Sequence, residues 1–266
     1  MMGGRVHEKI DELHKQYGPA VRIAPDGVCF FTAQSIKDIY SRAGPGTPQK
    51  SRVYYETPIN GVDHVATALD DSVHKRQRSL VAWGLTGART KSQEPLVTRY
   101  VDMFIKGLGG EAEKGPVDIM AWFNYTTFDI TGDLTFAESF DCLKNTKLHP
   151  WIQLTFGAVK ALAYINAAKA FPPLGALLMS LIPQGILQKG IDHFNLSAEK
   201  ADRRIAMETV RHDLMSGMLK NGFSEEHGAH LKGGKLLSRA EIRSNAYMCD
   251  FKPANVYHDI ANENTV

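Results

Sequence analysis

The sequence is short of net charge, cysteine and long apolar runs, and each shortage excludes a class of function. Its 31 Lys and Arg stand against 29 Asp and Glu, a formal charge of +2, too mild for a nucleic-acid surface. Basic and acidic residues also interleave, as in ADRRIAMETVRHD (Ala201 to Asp213), the pattern of a solvated helix face. Only three cysteines occur, Cys29, Cys142 and Cys249. They are widely separated and odd in number, which gives no disulfide framework or zinc spacing and fits a reducing compartment. No run of about twenty uncharged apolar residues exists to span a bilayer, and MMGGRVHEKIDELHKQYGP at the start has no signal-peptide core. The motifs G-x-S-x-G and H-E-x-x-H and a phosphate-binding glycine loop are absent as well.

What is present reads as a folded chain. A 43% hydrophobic and 23% charged composition is ordinary for a globular protein. Val6 to Tyr17 is an amphipathic helix ending at Gly18-Pro19. Ala20 to Ile23 and Val28 to Thr32 flank Pro25-Asp26-Gly27 and read as a small hairpin. Thr32 or Ser35 caps a helix through Tyr40 that turns Ile36 and Ile39 inward, and a Gly/Pro-rich irregular loop follows over Ala43 to Gly61. From Asp71 onward the pattern is helical: Ser72–Leu85, Gln93–Leu108, Ile119–Leu134, Pro150–Lys169, Leu174–Ile182, Gln184–Met207, Asp213–Leu219 and Ser238–Cys249. Neither an internal repeat nor a composition break divides the chain. The fold class is mainly α with a small β-hairpin near the N-terminus.

Few constellations carry chemistry. In DDSVHKRQRSL (Asp70 to Leu80), His74 and Arg78 lie four apart on one helix face while Lys75 and Arg76 point elsewhere. An imidazole and a guanidinium placed so can clamp a carboxylate; the same run also reads as a solvated basic edge. In WFNYTTFDITGDLTF (Trp122 to Phe136), Trp122, Tyr125 and Phe128 recur every three residues, the mark of a buried packing helix rather than a ligand box. Asp129 and Asp133 nearby read as capping or solvent-exposed. EEHGAH (Glu225 to His230) pairs two histidines with two acids, but two ligands do not complete a tetrahedral metal site. FPPLGALLMSLIPQGI (Phe171 to Ile186) holds an apolar run of about three helical turns, suited to core packing or to a membrane surface.

The end of the chain begins as a well-signalled helix. Ser238 and Glu241 form a capping box, and Ile242, Ala246 and Cys249 mark one apolar face. Asp250 to Asn255 then breaks that face, and Pro253 cannot continue a helix.

Taken in order, these stretches resemble the N-terminal half of a cytochrome P-450, a heme-thiolate monooxygenase of the filamentous-fungal microsomal type. The resemblance rests on YGPAVRIAPDGVCFFTAQSIKDIY, the DDSVHKRQRSL helix, EPLVTRYVDMFIKGL, WFNYTTFDITGDLTFAESFDCL with HPWI, RHDLMSGMLKNG and LSRAEIRSNAYM. It covers about Asp11 to Met248 and implies a P-450-like part over 1–248, cut within the long oxygen-binding helix, and an unrelated tail over 249–266. His74 and Arg78 match the family's W/H-x-x-x-R pattern, so the resemblance implies that they contact the propionates of heme. The GTPQKSRVYYETPI loop would be the variable segment above the heme, and 171–186 would line the access route and touch a membrane.

The same resemblance implies what should follow Asn245-Ala246, an A-G-x-[DE]-T-T pattern, then an E-x-x-R pair and an F-x-x-G-x-R-x-C-x-G heme loop. Tyr-Met-Cys-Asp-Phe-Lys-Pro follows instead, and none of the three cysteines has the heme-loop context. The expected reading is therefore a truncated relative, inactive alone, whose intact kin use heme, molecular oxygen and a reductase electron donor to oxidise small lipophilic secondary metabolites. Intact kin would sit on the endoplasmic-reticulum membrane; this chain, without their anchor, would lie in the cytoplasm or at the membrane surface. The alternatives are a non-catalytic binding or regulatory protein, or a fragment of a longer active monooxygenase.

Overall fold

Local turn chemistry builds the first elements. The computed structural model describes residues 5–40, 48–52, 54–150, 177, 184–207, 211–228 and 234–251. The chain forms two units, one of Met1–Tyr54 with Leu162–Leu181 and one of Tyr55–Ala161 with Ile182–Val266. In the first, α1 (Val6–Tyr17) stops at Gly18, whose φ of 90° suits a residue without Cβ and whose amide donates to the His14 carbonyl at 3.0 Å. The predicted hairpin follows. β1 (Ala20–Ala24) pairs antiparallel with β2 (Gly27–Phe30) from Ala20↔Phe30 to Ala24↔Gly27, with a register shift between Arg22 and Ala24. Thr32 then caps α2 (Ala33–Tyr40), its Oγ1 accepting the Ser35 amide at 3.0 Å. Ile36 does not turn inward as its spacing predicts: it is 61% exposed, and α2 has no buried residue.

The second unit holds the core. Residues 55–69 are irregular apart from turns, as the Gly/Pro content predicts up to Gly61. α3 (Asp71–Val81) passes into a 3-10 turn at Ala82–Leu85, and α4 (Gly87–Ala112) begins six residues before the Gln93 expected. α4 continues through Pro95, which removes one amide donor from the helix ladder. α5 (Ile119–Phe136) is capped by the Asp118 carboxylate and ends at Ala137 in the left-handed region. Next come the short α6 (Cys142–Asn145), α7 (Gln184–Ala206) and α8 (Leu214–Leu219), the last with a capping box between Asp213 and Ser216. A two-residue parallel pair, β3 (Phe223–Ser224) with β4 (Leu237–Ser238), precedes α9 (Arg239–Phe251). The helices expected over Pro150–Lys169 and Leu174–Ile182 lie, but for Pro150 and Leu177, outside the described residues, as does 252–266.

The main apolar cluster joins Leu80 and Val81 of α3, Phe128 and Phe136 of α5, Met215 and Met218 of α8, and Ile242 and Ala246 of α9. Trp122, Tyr100 and Leu143 form a second cluster between α4, α5 and α6. The three-residue spacing of Trp122, Tyr125 and Phe128 thus marks packing, as expected. α7 lies along α9, where buried His193 meets Tyr247 edge-on with ring centres 5.2 Å apart. Burial pushes the His193 imidazole down to about 4, so it is neutral at neutral pH.

α8 reaches α3 so closely that only glycine fits at the crossing. A Cβ on Gly217 would stand 2.3 Å from the Leu80 carbonyl oxygen, a backbone atom that cannot swing aside. Gly217→Ala is therefore expected to destabilise the fold by about 1–3 kcal/mol, the usual cost of overpacking. Urea denaturation checks this as a lower midpoint at unchanged slope.

Candidate functional site

The basic helix starts on a strong cap. Asp70 Oδ1 accepts the amides of Ser72 at 2.9 Å and Val73 at 3.2 Å, which fixes the first turn of α3 and complements its dipole. His74 and Arg78 share one edge of this helix, His74 buried and Arg78 half-buried. Arg76 falls about half a turn around the axis from that edge.

The expectation that Arg76 merely points elsewhere misses its role. Its guanidinium is buried and grips Glu241 of α9 bidentately, Nη1 to Oε2 at 2.9 Å and Nη2 to Oε1 at 2.6 Å, while Nη1 also donates to the Leu236 carbonyl at 2.7 Å. Gln77 Nε2 adds a bond to Glu241 Oε1 at 3.1 Å and one to the Asp63 carbonyl at 2.9 Å. Glu241 is at the same time the reciprocal partner in the predicted capping box. Its Oε2 accepts the Ser238 amide at 2.9 Å, and its own amide donates to Ser238 Oγ at 3.1 Å.

Asn245, one turn on, completes the junction. Its Nδ2 donates to Gln77 Oε1 at 3.2 Å and to the Glu241 carbonyl at 2.8 Å, and its Oδ1 accepts the Val65 amide at 3.0 Å. Asn60 holds the same loop to α9, donating to Ser244 Oγ at 2.8 Å and to the Ala240 carbonyl at 3.2 Å. The irregular 60–68 segment is thus pinned to α9 by side-chain amides that satisfy its backbone. Burial alone pushes the Glu241 carboxyl up. The hydrogen bond from Arg76, that from the Ser238 amide, the Arg76 charge and the Gln77 bond outweigh it and hold the group below the ordinary carboxylate range.

Other candidates resolve into structure. Asp129 and Asp133 are both buried rather than solvent-exposed. Asp129 caps α6, accepting the Cys142 amide at 2.9 Å and the Leu143 amide at 2.8 Å; Asp133 accepts Arg99 at 2.7 Å, Tyr100 at 2.8 Å and Arg211. A four-residue spacing aligned two carboxylates on one face, and that face packs against neighbouring donors instead of water. In EEHGAH, His227 Nδ1 meets Ser238 Oγ at 3.0 Å and His230 lies outside the described residues. No cluster of three metal-ligating side chains occurs among the described residues. A 690 Å³ hollow runs along the Lys91–Lys106 face of α4 and takes no residue from α3, so it is one helix's open flank rather than a site joined to the basic edge.

The cysteines differ in their surroundings. Cys142 is fully buried in the main apolar cluster, and burial pushes its thiol up to about 11. Cys249 is buried beside Val65, Leu214 and Met248, and Cys29 lies on β2 of the other unit. The arrangement sets an imidazole and a guanidinium on one edge of a capped helix, side chains whose donors suit carboxylates.

The sequence pattern of the family described as Cytochrome P450 matches residues 1–245. Similar curated proteins include the cytochrome P450 monooxygenase astJ of Aspergillus oryzae, 34% identical over 91% of this chain and 47% of that protein. The trichothecene C-15 hydroxylase of Fusarium sporotrichioides is 33% identical over 91% of this chain and 49% of its own length. The averantin hydroxylase of Dothistroma septosporum is 35% identical over 91% and 44%. The chain spans about half the length of these relatives.

The lowered Glu241 carboxyl has a consequence for stability. A carboxylate depressed in the folded state contributes stability that is fully present above its unfolded value, about 4.3, and lost as pH falls through the folded value. Glu241→Gln is expected to cost about 3–5 kcal/mol at neutral pH, because it leaves Arg76 buried without its counter-charge. The gap between the two proteins should narrow below about pH 4; denaturant titrations at neutral and acidic pH measure it.

Proposed function

The chain belongs to the cytochrome P450 family, and from that premise we propose that it is the N-terminal part of a heme- and oxygen-dependent monooxygenase of fungal secondary metabolism. Two of the relatives are named as hydroxylases, which supports hydroxylation of a small lipophilic metabolite by the whole protein, with electrons from a reductase. Within this chain, His74 and Arg78 hold the heme propionates, Arg78 as the planar donor and His74 as the second hydrogen-bonding group. The single observation that carries this reading is their shared edge on a capped helix whose other side is anchored to α9.

Heme, when bound, would supply the iron at which oxygen is activated, and a thiolate on that iron would favour O–O cleavage. The basic edge fits the carboxylates of that group. The buried, raised Cys142 thiol does not fit its axial thiolate, since a thiolate is the ligating form. On this reading the described residues hold heme by its carboxylates, and Cys142 adds no thiolate for monooxygenation. Among the described residues no helix is long and apolar enough to cross a membrane, and contact through 171–186 would be peripheral.

Two measurements test this. Arg78→Ala is expected to weaken heme binding, followed by absorbance, about tenfold to a hundredfold, the worth of one or two charge-assisted hydrogen bonds, and His74→Ala by less. In the reduced, carbon monoxide-treated chain no thiolate-type Soret band is expected; such a band would overturn the inactive reading. Unchanged affinity in Arg78→Ala would remove the propionate assignment.

A further inference from the structure

The two sides of α3 are held by different kinds of contact. Its large buried apolar residues, Leu80 and Val81, sit in its last turn, while the buried residues of its first two turns are His74, Arg76 and Gln77. Apolar packing is non-directional, so an anchor at one end leaves rotation of the other end poorly specified. The polar side chains supply the missing direction. Arg76 and Gln77 project about 100° apart around the axis, and both terminate on Glu241, Arg76 through a planar fork at 2.9 and 2.6 Å and Gln77 at 3.1 Å. Gln77 is held again by the Asp63 carbonyl and by Asn245 Nδ2. Grips at two azimuths on one rigid acceptor admit a single rotation.

We propose that Arg76, Gln77, Glu241 and Asn245 act as positioning residues that set the rotation of α3 and so aim the His74–Arg78 edge at the cofactor's carboxylates; this rests on the heme reading above. The lever is short. With side chains extending about 5–6 Å from a helix axis, a rotation of about 20° displaces their tips by about 2 Å. That exceeds the tolerance of a hydrogen bond. A buried ion pair is a costly way to gain stability, because a well-packed apolar pair of similar volume is often as stable or more so. What the apolar pair does not give is direction. The pair's use here is geometric, and α9 becomes the element against which the basic edge is indexed.

The test separates aim from stability. The full 266-residue chain is titrated with hemin and with hemin dimethyl ester, whose carboxylates are masked, and the ratio of the two dissociation constants reports carboxylate recognition alone. The unaltered chain should favour the free acid by about tenfold or more, and Arg78→Ala should bring the ratio close to one. The double variant Arg76→Met/Glu241→Leu should unfold at a similar temperature yet lose most of the ratio, and Arg76→Lys, which keeps the charge but not the fork, should lose part of it. If the double variant does not fold, Gln77→Met, which keeps the ion pair, is read in the same way and should lower the ratio. A folded clamp variant that retains the full ratio while Arg78→Ala loses it overturns the positioning role and leaves the heme reading intact. A ratio unaffected by Arg78→Ala, or no hemin binding by the unaltered chain, overturns both.

Discussion

Glu241 is wholly buried, and its two oxygens accept from the Arg76 fork, the Gln77 amide and the backbone of Ser238. Removing a carboxylate from water costs several kcal/mol unless paired and fully hydrogen-bonded, so a position of this kind tolerates little displacement of any donor. Four parts of the chain are thereby tied together: the start of α9, the strand before it, the basic helix and the loop under that helix. The apolar cluster of Leu80, Met215, Met218 and Ile242 supplies most of the driving force for packing these elements. The carboxylate adds directional contacts among them.

Much of this was legible in the sequence because it is local. The hairpin at Pro25-Asp26-Gly27, the irregular run over 54–61, the Trp122–Phe128 packing stripe and the Ser238/Glu241 capping box each depend on residues a few positions apart. What was not legible is long-range. The fork of Arg76 closes on a residue 165 positions away, and spacing within α3 says only that Arg76 leaves the His74–Arg78 edge. Asp129 and Asp133 show the same limit: their alignment could be read, but not that backbone amides of α6 and the side chains of Arg99 and Tyr100 would meet them. A clue did exist, since an adjacent arginine and glutamine on a capped helix are two strong donors in need of an acceptor.

The functional reading follows from this division of labour. The proposed heme edge is made of two side chains, and the contacts that support its helix are made elsewhere, by Arg76, Gln77, Glu241 and Asn245. The beginning of α9, up to Asn245, lies within the part of the chain that matches the family, and it supports the basic helix. Cys142 and Cys249 belong to the packing of these helices; the contribution proposed for this chain is to bind and orient the cofactor's carboxylates.

The account stands on the coupling between Arg76 and Glu241, and a double-mutant cycle measures it most directly. Arg76→Met, Glu241→Leu and the double variant are compared with the unaltered chain by urea denaturation at neutral pH. The account predicts that each single change destabilises far more than its share of the double, with a coupling of about 2–3 kcal/mol or more. Additive effects, with a coupling below about 0.5 kcal/mol, would contradict it and reduce the pair to an incidental contact between two helices held by packing alone.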